Sequence, residues 1–221
     1  MYSFTPADFA DTGQWRMIIH IHADGLQAYL ENTIHPEAGL QLFCAQSWDS
    51  DPAHLKKNIE DTVYSNPRLL DDFATTIILY TQDVLFIPTR IAEADLDSES
   101  NIYNKFYSAE PLDVMSGQVE DITAVWSMGP GIKSFLLRTF PGSRITCNLL
   151  ELVKQQLPFS EKTNVCLNTR EKETDLVVTS NHKLITASTH SFTDKEKTSF
   201  LVKNALDLYG LESVDINYGS R

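Results

Sequence analysis

The chain has 221 residues, of which 42% are hydrophobic and 22% charged, so it can bury a globular core in one large or two modest domains. Its formal net charge of −12 comes from residues 1–120, which hold 6 Lys and Arg against 19 Asp and Glu. Such an acidic half repels phosphate backbones, which argues against a nucleic-acid partner. No apolar run approaches the ~20 residues of a membrane-spanning helix, so we expect no membrane span.

The N-terminus and the cysteines bear on the cellular compartment. The opening MYSFTPADFADTGQW lacks the basic and apolar regions of a secretory signal. The three cysteines, Cys44, Cys147 and Cys166, are odd in number and far apart, which is typical of buried thiols and not of disulfides or a zinc site. We therefore expect a cytoplasmic protein.

The first segment begins with runs of alternating hydrophobicity. They predict three strands, at 15–22, 26–32 and 40–48. The dipeptide Asp24-Gly25 is a two-residue turn signal between the first two strands.

The period then changes from two to about four. The apolar residues that repeat at this spacing are Leu55, Ile59 and Val63. They predict a helix that Asp51 caps and Pro52 begins. A β-branched apolar run at 75–81 predicts a buried strand, so the first segment has the order β-β-β-α-β.

The middle region joins this segment to a second copy of the same order. The run DITAVWSMGPGIKSFLLRTF predicts a strand, a glycine turn and a helix, and CNLLELVKQQLP predicts a further helix. Residues 92–120 are mostly polar and predict a loop that carries Tyr103, Phe106 and Tyr107 among acidic residues.

The last segment repeats the β-β-β-α-β order. Strands are predicted at 163–169, 174–180, 183–192 and 214–219. A helix is predicted over 194–209, with a Thr193–Glu196 capping box and Gly210 as its end. Its expected core-facing residues are Leu201, Ala205 and Leu208.

A three-stranded meander followed by a helix and a strand resembles the ribonuclease-H-like fold, and two such lobes resemble the α/β fold of actin-like ATPases. The stretches IIHIHADGLQAYL, DVLFIPTRI, DITAVWSMGPGIKSFLLRTFPGSRIT and VDINYGS resemble an uncharacterised bacterial family, domain of unknown function 3822. The resemblance implies an actin-like fold with lobes at 1–142 and 143–221, and it leaves open a truncation of the second lobe after Arg221. It implies no activity, since the family has none established.

The sequence departs from working actin-like ATPases at their phosphate loops. Those proteins resemble one another in a Gly-rich turn after the first strand of each lobe, with an aspartate that positions Mg²⁺ and water. Here His20 and His22 stand at that place, and the first glycine is Gly25. The second turn, TREKETD, has no glycine, and the late glycine pair is reduced to Gly219. Because a backbone that wraps phosphate closely needs glycine, we expect degenerate loops.

Two constellations have a functional and a structural interpretation. The side chains of His20, His22 and Asp24 alternate along one strand and could ligate a metal, but we interpret them as a polar outer face without metal. The loop from Gly129 to Lys133 precedes a helix and could bind an anion, but it lacks the glycine directly before lysine of a true phosphate loop, so we interpret it as a tight turn.

Two classes of function remain. The favoured hypothesis is a non-catalytic actin-like protein that acts as a scaffold for a protein partner and needs no cofactor, with the aromatic residues of 92–120 as its binding surface unless they fill the core. The alternative is a nucleotide-binding or phosphoryl-transfer protein with atypical loops. Its candidate ligand-binding residues are Asp24, Gly25, Gly129, Lys133 and Gly219.

Overall fold

The structure is a computed structural model that describes residues 11–81, 83–93, 98–107, 113–169, 173–211 and 215–219, with the backbone alone for 98–101 and 215–219. The strands are β1 (Trp15–His22), β2 (Gly25–Asn32), β3 (Gln41–Ser47), β4 (Thr75–Tyr80), β5 (Val84–Pro88), β6 (Asp113–Val119), β7 (Ile122–Met128), β8 (Arg144–Cys147), β9 (Asn164–Thr169), β10 (Thr174–Ser180), β11 (Lys183–His190) and β12 (Asp215–Gly219). The α-helices are α1 (Leu55–Ser65), α2 (Thr89–Ala92), α3 (Ser98–Phe106), α4 (Ile132–Thr139), α5 (Asn148–Gln156) and α6 (Lys195–Tyr209). In the described part of the chain, no helix has both the length and the apolar character needed to cross a membrane.

The chain forms two compact units, each assembled from separate segments. Unit 1 comprises the described residues of Met1–Gln82, Ala109–Asp113 and Met128–Cys147. Unit 2 comprises those of Asp83–Ser108, Val114–Ser127 and Asn148–Arg221. The division into lobes at 1–142 and 143–221 stays a prediction.

Unit 1 is built on a five-stranded sheet with the order β3-β2-β1-β4-β8. The first three strands are antiparallel neighbours, whereas β4 pairs parallel to β1 and β8 pairs parallel to β4. This confirms the predicted β-β-β-α-β order. The strand β8 was not predicted.

Alternation along β1 and β2 builds the core of unit 1. The side chains with no exposed surface are Met17, Ile19, Ile21, Leu26, Ala28 and Leu30. The predicted stripe of α1 is also buried. The helix begins at Leu55 with His54 as its N-cap, so the predicted start at Pro52 with Asp51 as the cap is wrong. The Oδ1 of Asp51 instead accepts a hydrogen bond from Ala53 N at 2.9 Å, in the turn before the helix.

Unit 2 contains two sheets. The first has the order β11-β10-β9-β12, with β12 parallel to β9, and it repeats the order β3-β2-β1-β4 of unit 1. The second is a three-stranded sheet with the order β5-β7-β6. Helix α5 contributes Leu149, Leu152 and Val153 to a core cluster that also includes Cys166 and Val177 of the first sheet.

Helix α6 lies at its predicted place but presents a different face to the core. Its N-cap is Asp194, whose Oδ1 accepts hydrogen bonds from the backbone N–H groups of Glu196 and Lys197, so the predicted Thr193–Glu196 capping box is wrong. Its buried residues are Thr198, Val202 and Ala205. Leu208 is 75% exposed, so its predicted core position is also wrong.

The region 92–120 is not the predicted loop, because α3 and β6 lie within it. Tyr103 is 2% exposed, and its hydroxyl lies 3.1 Å from both the Asp83 carbonyl and Ser127 Oγ. Tyr103 therefore belongs to the core and cannot present a binding surface, whereas Phe106 is 69% exposed. Tyr107 stacks on Tyr103, with 4.8 Å between ring centroids.

Candidate functional site

The turn of the first hairpin is formed by Ala23 and Asp24, one position before the predicted Asp24-Gly25 turn. Trp48, which lies outside the hairpin, stabilises this turn with two hydrogen bonds. Its indole Nε1 donates to the Ala23 carbonyl and its backbone N–H donates to the Asp24 carbonyl, both at 2.9 Å. Gly25 already belongs to β2.

Gly25 is required by the packing of two strands. A Cβ at this position would lie 2.8 Å from the backbone carbonyl oxygen of Gln46 on β3, closer than real Cβ contacts allow. Its φ does not lie in the left-handed region. The glycine is therefore needed because β3 packs so closely against β2. The turn of the hairpin has no residue in the left-handed conformation that an anion-binding nest requires.

His20 and His22 lie on the same side of β1. The prediction that His20 occupies a polar outer face is wrong, because the residue is only 9% exposed. Its ring centroid lies 6.0 Å from that of His22 and 5.5 Å from that of Tyr29, which packs edge-on. Among the residues whose side chains the structure describes, no three His, Cys, Asp or Glu side chains form a group able to hold a metal.

The loop from Gly129 to Lys133 leads from β7 into α4. Gly131 is the N-cap, with a left-handed φ of 72°, and the helix begins at Ile132. A Cβ on Gly131 would lie 3.2 Å from Cε of Lys56. Lys56 in turn forms an ion pair with Glu60, with 3.0 Å between Nζ and Oε1.

A buried polar cluster in unit 2, which sequence reasoning missed, centres on Asp175. This residue is 1% exposed and lies on β10, soon after the turn where actin-like ATPases have their second phosphate loop. Its Oδ2 accepts from Asn148 Nδ2 at 2.5 Å and from Asn168 Nδ2 at 3.4 Å, and its Oδ1 accepts from Thr189 Oγ1 at 2.7 Å. We call these four residues the Asp175 cluster.

Three strands and a helix bring the Asp175 cluster together. Asn168 and Thr189 are the direct neighbours of Asp175 on β9 and β11, and Asn148 is the first residue of α5. The pairing of β12 with β9 places Gly219 beside Asn168. The structure thus brings Gly219 next to the cluster. The alternation of the predicted second hairpin could have revealed the pair Asn168 and Asp175, but not the contribution of Asn148.

His190 lies next to the cluster on β11. Its Nε2 lies 2.8 Å from Ser188 Oγ, and its ring packs against Phe192 with 5.4 Å between centroids. Burial lowers the pKa of His190, while the negative charge of Asp175 acts in the opposite direction. The neutral imidazole is therefore the form that the fold favours.

The lowered pKa of His190 predicts a specific pH dependence of stability. The unfolded chain, in which histidine titrates near pH 6.5, binds this proton more readily than the folded chain. The contribution of His190 is therefore fully present above about pH 7 and is lost as the pH falls through 6.5 towards the lower folded pKa. We expect the melting temperature of His190→Gln to fall less between about pH 7.5 and 5.5 than that of the unsubstituted protein. Parallel curves would contradict this assignment.

The family is decided by a comparison with protein-family models. The model described as "Protein of unknown function (DUF3822)" matches residues 6–212. The chain belongs to this family. A comparison with curated proteins finds no match.

Solved structures confirm the fold. A Bacteroides thetaiotaomicron protein with an actin-like ATPase fold and unknown function superimposes with a TM-score of 0.77 at 12% identity, over 97% of this chain and 85% of its own. The chain therefore has the actin-like ATPase fold. A PilM–PilN type IV pilus biogenesis complex superimposes less closely, with a TM-score of 0.44 at 12% identity over 89% of this chain and 66% of that one. The same holds for a Cytophaga hutchinsonii exopolyphosphatase, with a TM-score of 0.42 at 5% identity over 92% of this chain and 66% of that one.

Proposed function

We propose that the protein is a non-catalytic actin-like scaffold that binds a protein partner through its surface and has degenerate phosphate loops. The observation that carries the proposal is the first hairpin. Its glycine is needed by strand packing against Gln46, and its turn contains no left-handed residue to direct successive N–H groups at a phosphate.

The second hairpin supports the same proposal. Its Asp175 accepts hydrogen bonds from Asn168 of the same hairpin, from Asn148 of α5 and from Thr189 of β11, so these groups are engaged within the protein. A buried carboxyl at this place also opposes the approach of a phosphate. The polar groups of the second hairpin thus have a structural role, which is to stabilise unit 2.

Unit 2 also presents apolar surface of the kind that partners bind. A groove of about 480 Å³ between the end of β11 and α6 is lined by His190, Phe192, Phe200 and Leu201. Phe200 is 66% exposed at its rim. Exposed aromatic side chains beside polar residues are enriched in protein interfaces.

The proposal predicts that Mg-ATP is neither bound tightly nor hydrolysed. Titration calorimetry of the purified protein should show no binding at or below about 1 μM, equivalent to about −8 kcal/mol, because the turn of the first hairpin supplies no phosphate nest. Release of phosphate should match the protein-free control. A dissociation constant at or below that value contradicts the proposal.

The alternative, a nucleotide-binding protein with atypical loops, is favoured by one observation. The left-handed Gly131 opens α4 beside the Lys56 side chain, and Lys133 follows it. If ATP binds, Lys133→Gln and Lys56→Gln should each weaken it, while Arg138→Gln, on the exposed last turn of the same helix, should not. The further positions to substitute are Asp24, Gly25, Gly129 and Gly219.

A further inference from the structure

Two strand edges of unit 2 line the same groove. Strand β5 is an outer strand of the three-stranded sheet, and β11 is an outer strand of the four-stranded sheet. Between them lies a groove of about 380 Å³, which we call the edge groove. It is lined by Val84–Pro88, Leu184–Ala187, Asp121 and Ile122.

The walls of the edge groove carry unpaired backbone groups. In the part of the chain that the structure describes, β5 pairs with β7 alone and β11 with β10 alone, and the outward N–H and C=O groups of both have no backbone partner. Such an edge is a template for a further strand, and proteins commonly block it with lysine, proline or a bulge. Strand β11 has a bulge at Ile185, whereas β5 has only Pro88 at its end. The middle of β5 is the better template.

The floor of the edge groove is apolar. Val84 and Phe86 of β5, and Leu184 and Ala187 of β11, pack against the same core cluster around α5. All four remain half-buried, because no described strand covers the gap between the two sheets. An added strand would place every second side chain on this floor.

The groove has a charged end. Asp121 is exposed and lies beside Pro88 and Ile122, and the neighbouring Glu120 is also exposed. The chain as a whole carries a net charge of −12. A basic side chain at this end of a bound segment is therefore electrostatically complementary.

We propose that the edge groove binds an extended segment of a partner protein, which adds a strand to β5. The segment has apolar side chains at alternate positions and a Lys or Arg beside Asp121. The five residues of β5 set its paired length at about 17 Å. This inference rests on the proposed scaffold function and specifies the kind of segment by which the partner binds.

The inference is tested by selecting a phage-displayed library of random peptides on the full chain. A peptide length of about 12 residues is enough for one strand paired with β5 and a few residues on either side. We expect enriched peptides with alternating apolar residues and a basic residue. Ile185→Lys, which places a charge in one wall, should weaken a synthetic selected peptide about tenfold or more. Leu208→Lys, which also replaces an apolar side chain by a charged one and lies on exposed α6, is the control and should leave the affinity unchanged.

Two further measurements separate strand addition from simple apolar contact. N-methylation of the peptide backbone at alternate positions should weaken binding about tenfold, with little effect at the positions between, because only every second N–H points to β5. Asp121→Lys, an exposed substitution, should reverse the preference for a basic residue.

The inference is overturned if no peptide is enriched, if Ile185→Lys weakens binding no more than Leu208→Lys does, or if N-methylation has no alternating effect. Self-association that Ile185→Lys removes would identify a second copy of this chain as the occupant and also overturn it. None of these results changes the outcome of the ATP titration. Failure of the proposed binding to the edge groove is therefore distinguishable from failure of the proposed scaffold function.

Discussion

Asp175→Ala is expected to lower the free energy of unfolding by about 3–5 kcal/mol, the largest loss for any single substitution considered for this protein. The side chain is 1% exposed and accepts hydrogen bonds from Asn148, Asn168 and Thr189. Alanine leaves these buried donors without that acceptor and creates a cavity. Urea unfolding followed by circular dichroism measures the loss.

Two control variants define what the Asp175 result means. Asp175→Asn keeps the shape and one acceptor, so its loss should lie between that of alanine and zero. Asp207→Ala removes an exposed carboxyl from α6 and should change stability by no more than about 0.5 kcal/mol. Equal stability of Asp175→Ala and Asp207→Ala would show that the Asp175 cluster is not structural, and would reopen it as a ligand site.

Gly25→Ala is expected to cost about 2–3 kcal/mol, because the added methyl group meets a backbone atom that cannot rotate away. The obstacle is the carbonyl oxygen of Gln46, which lies 2.8 Å from the position that the methyl carbon would take, and relief requires β2 and β3 to separate. Thermal or urea unfolding reports the loss directly.

Gly210→Ala is the matched control for Gly25→Ala. Gly210 is left-handed, with φ 64° and ψ 38°, and has no atom within 4 Å of a Cβ, so its substitution costs only backbone strain, about 1 kcal/mol. The loss at Gly25 should therefore exceed the loss at Gly210. The reverse order would mean that β3 adjusts easily and that Gly25 needs a different explanation, including the phosphate role that the alternative function assigns to it.

The sequence predicted the elements whose periodicity is local and strong. The hairpin strands β1 and β10 lie where alternation placed them, and helix α6 ends before Gly210 as predicted. The strand β8 was missed because its four residues, Arg144–Cys147, are too few to show a period and lead directly into α5. The strand β6 was missed because polar residues and Gly117 interrupt its pattern.

The candidate site was harder to predict, because contacts between residues far apart in the sequence determine the role of each residue there. Gly25 follows a turn signal, but its role depends on Gln46, which the hairpin sequence does not contain. The alternation of β1 indicated a second, polar face, but it could not show that this face is covered at His20. The Asp175 cluster needs Asn148 from a helix that precedes the hairpin, and no local pattern connects them.

The position of β8 has a consequence for synthesis of the protein. Strand β4 pairs with β8, which follows it in the chain only after β5, β6 and β7. During translation the apolar strand Thr75–Tyr80 therefore remains an open edge until Cys147 has left the ribosome. An open apolar edge of this kind is prone to pair with other chains. Translation pauses between β4 and β8 thus prolong the period in which a nascent chain can aggregate or recruit a chaperone.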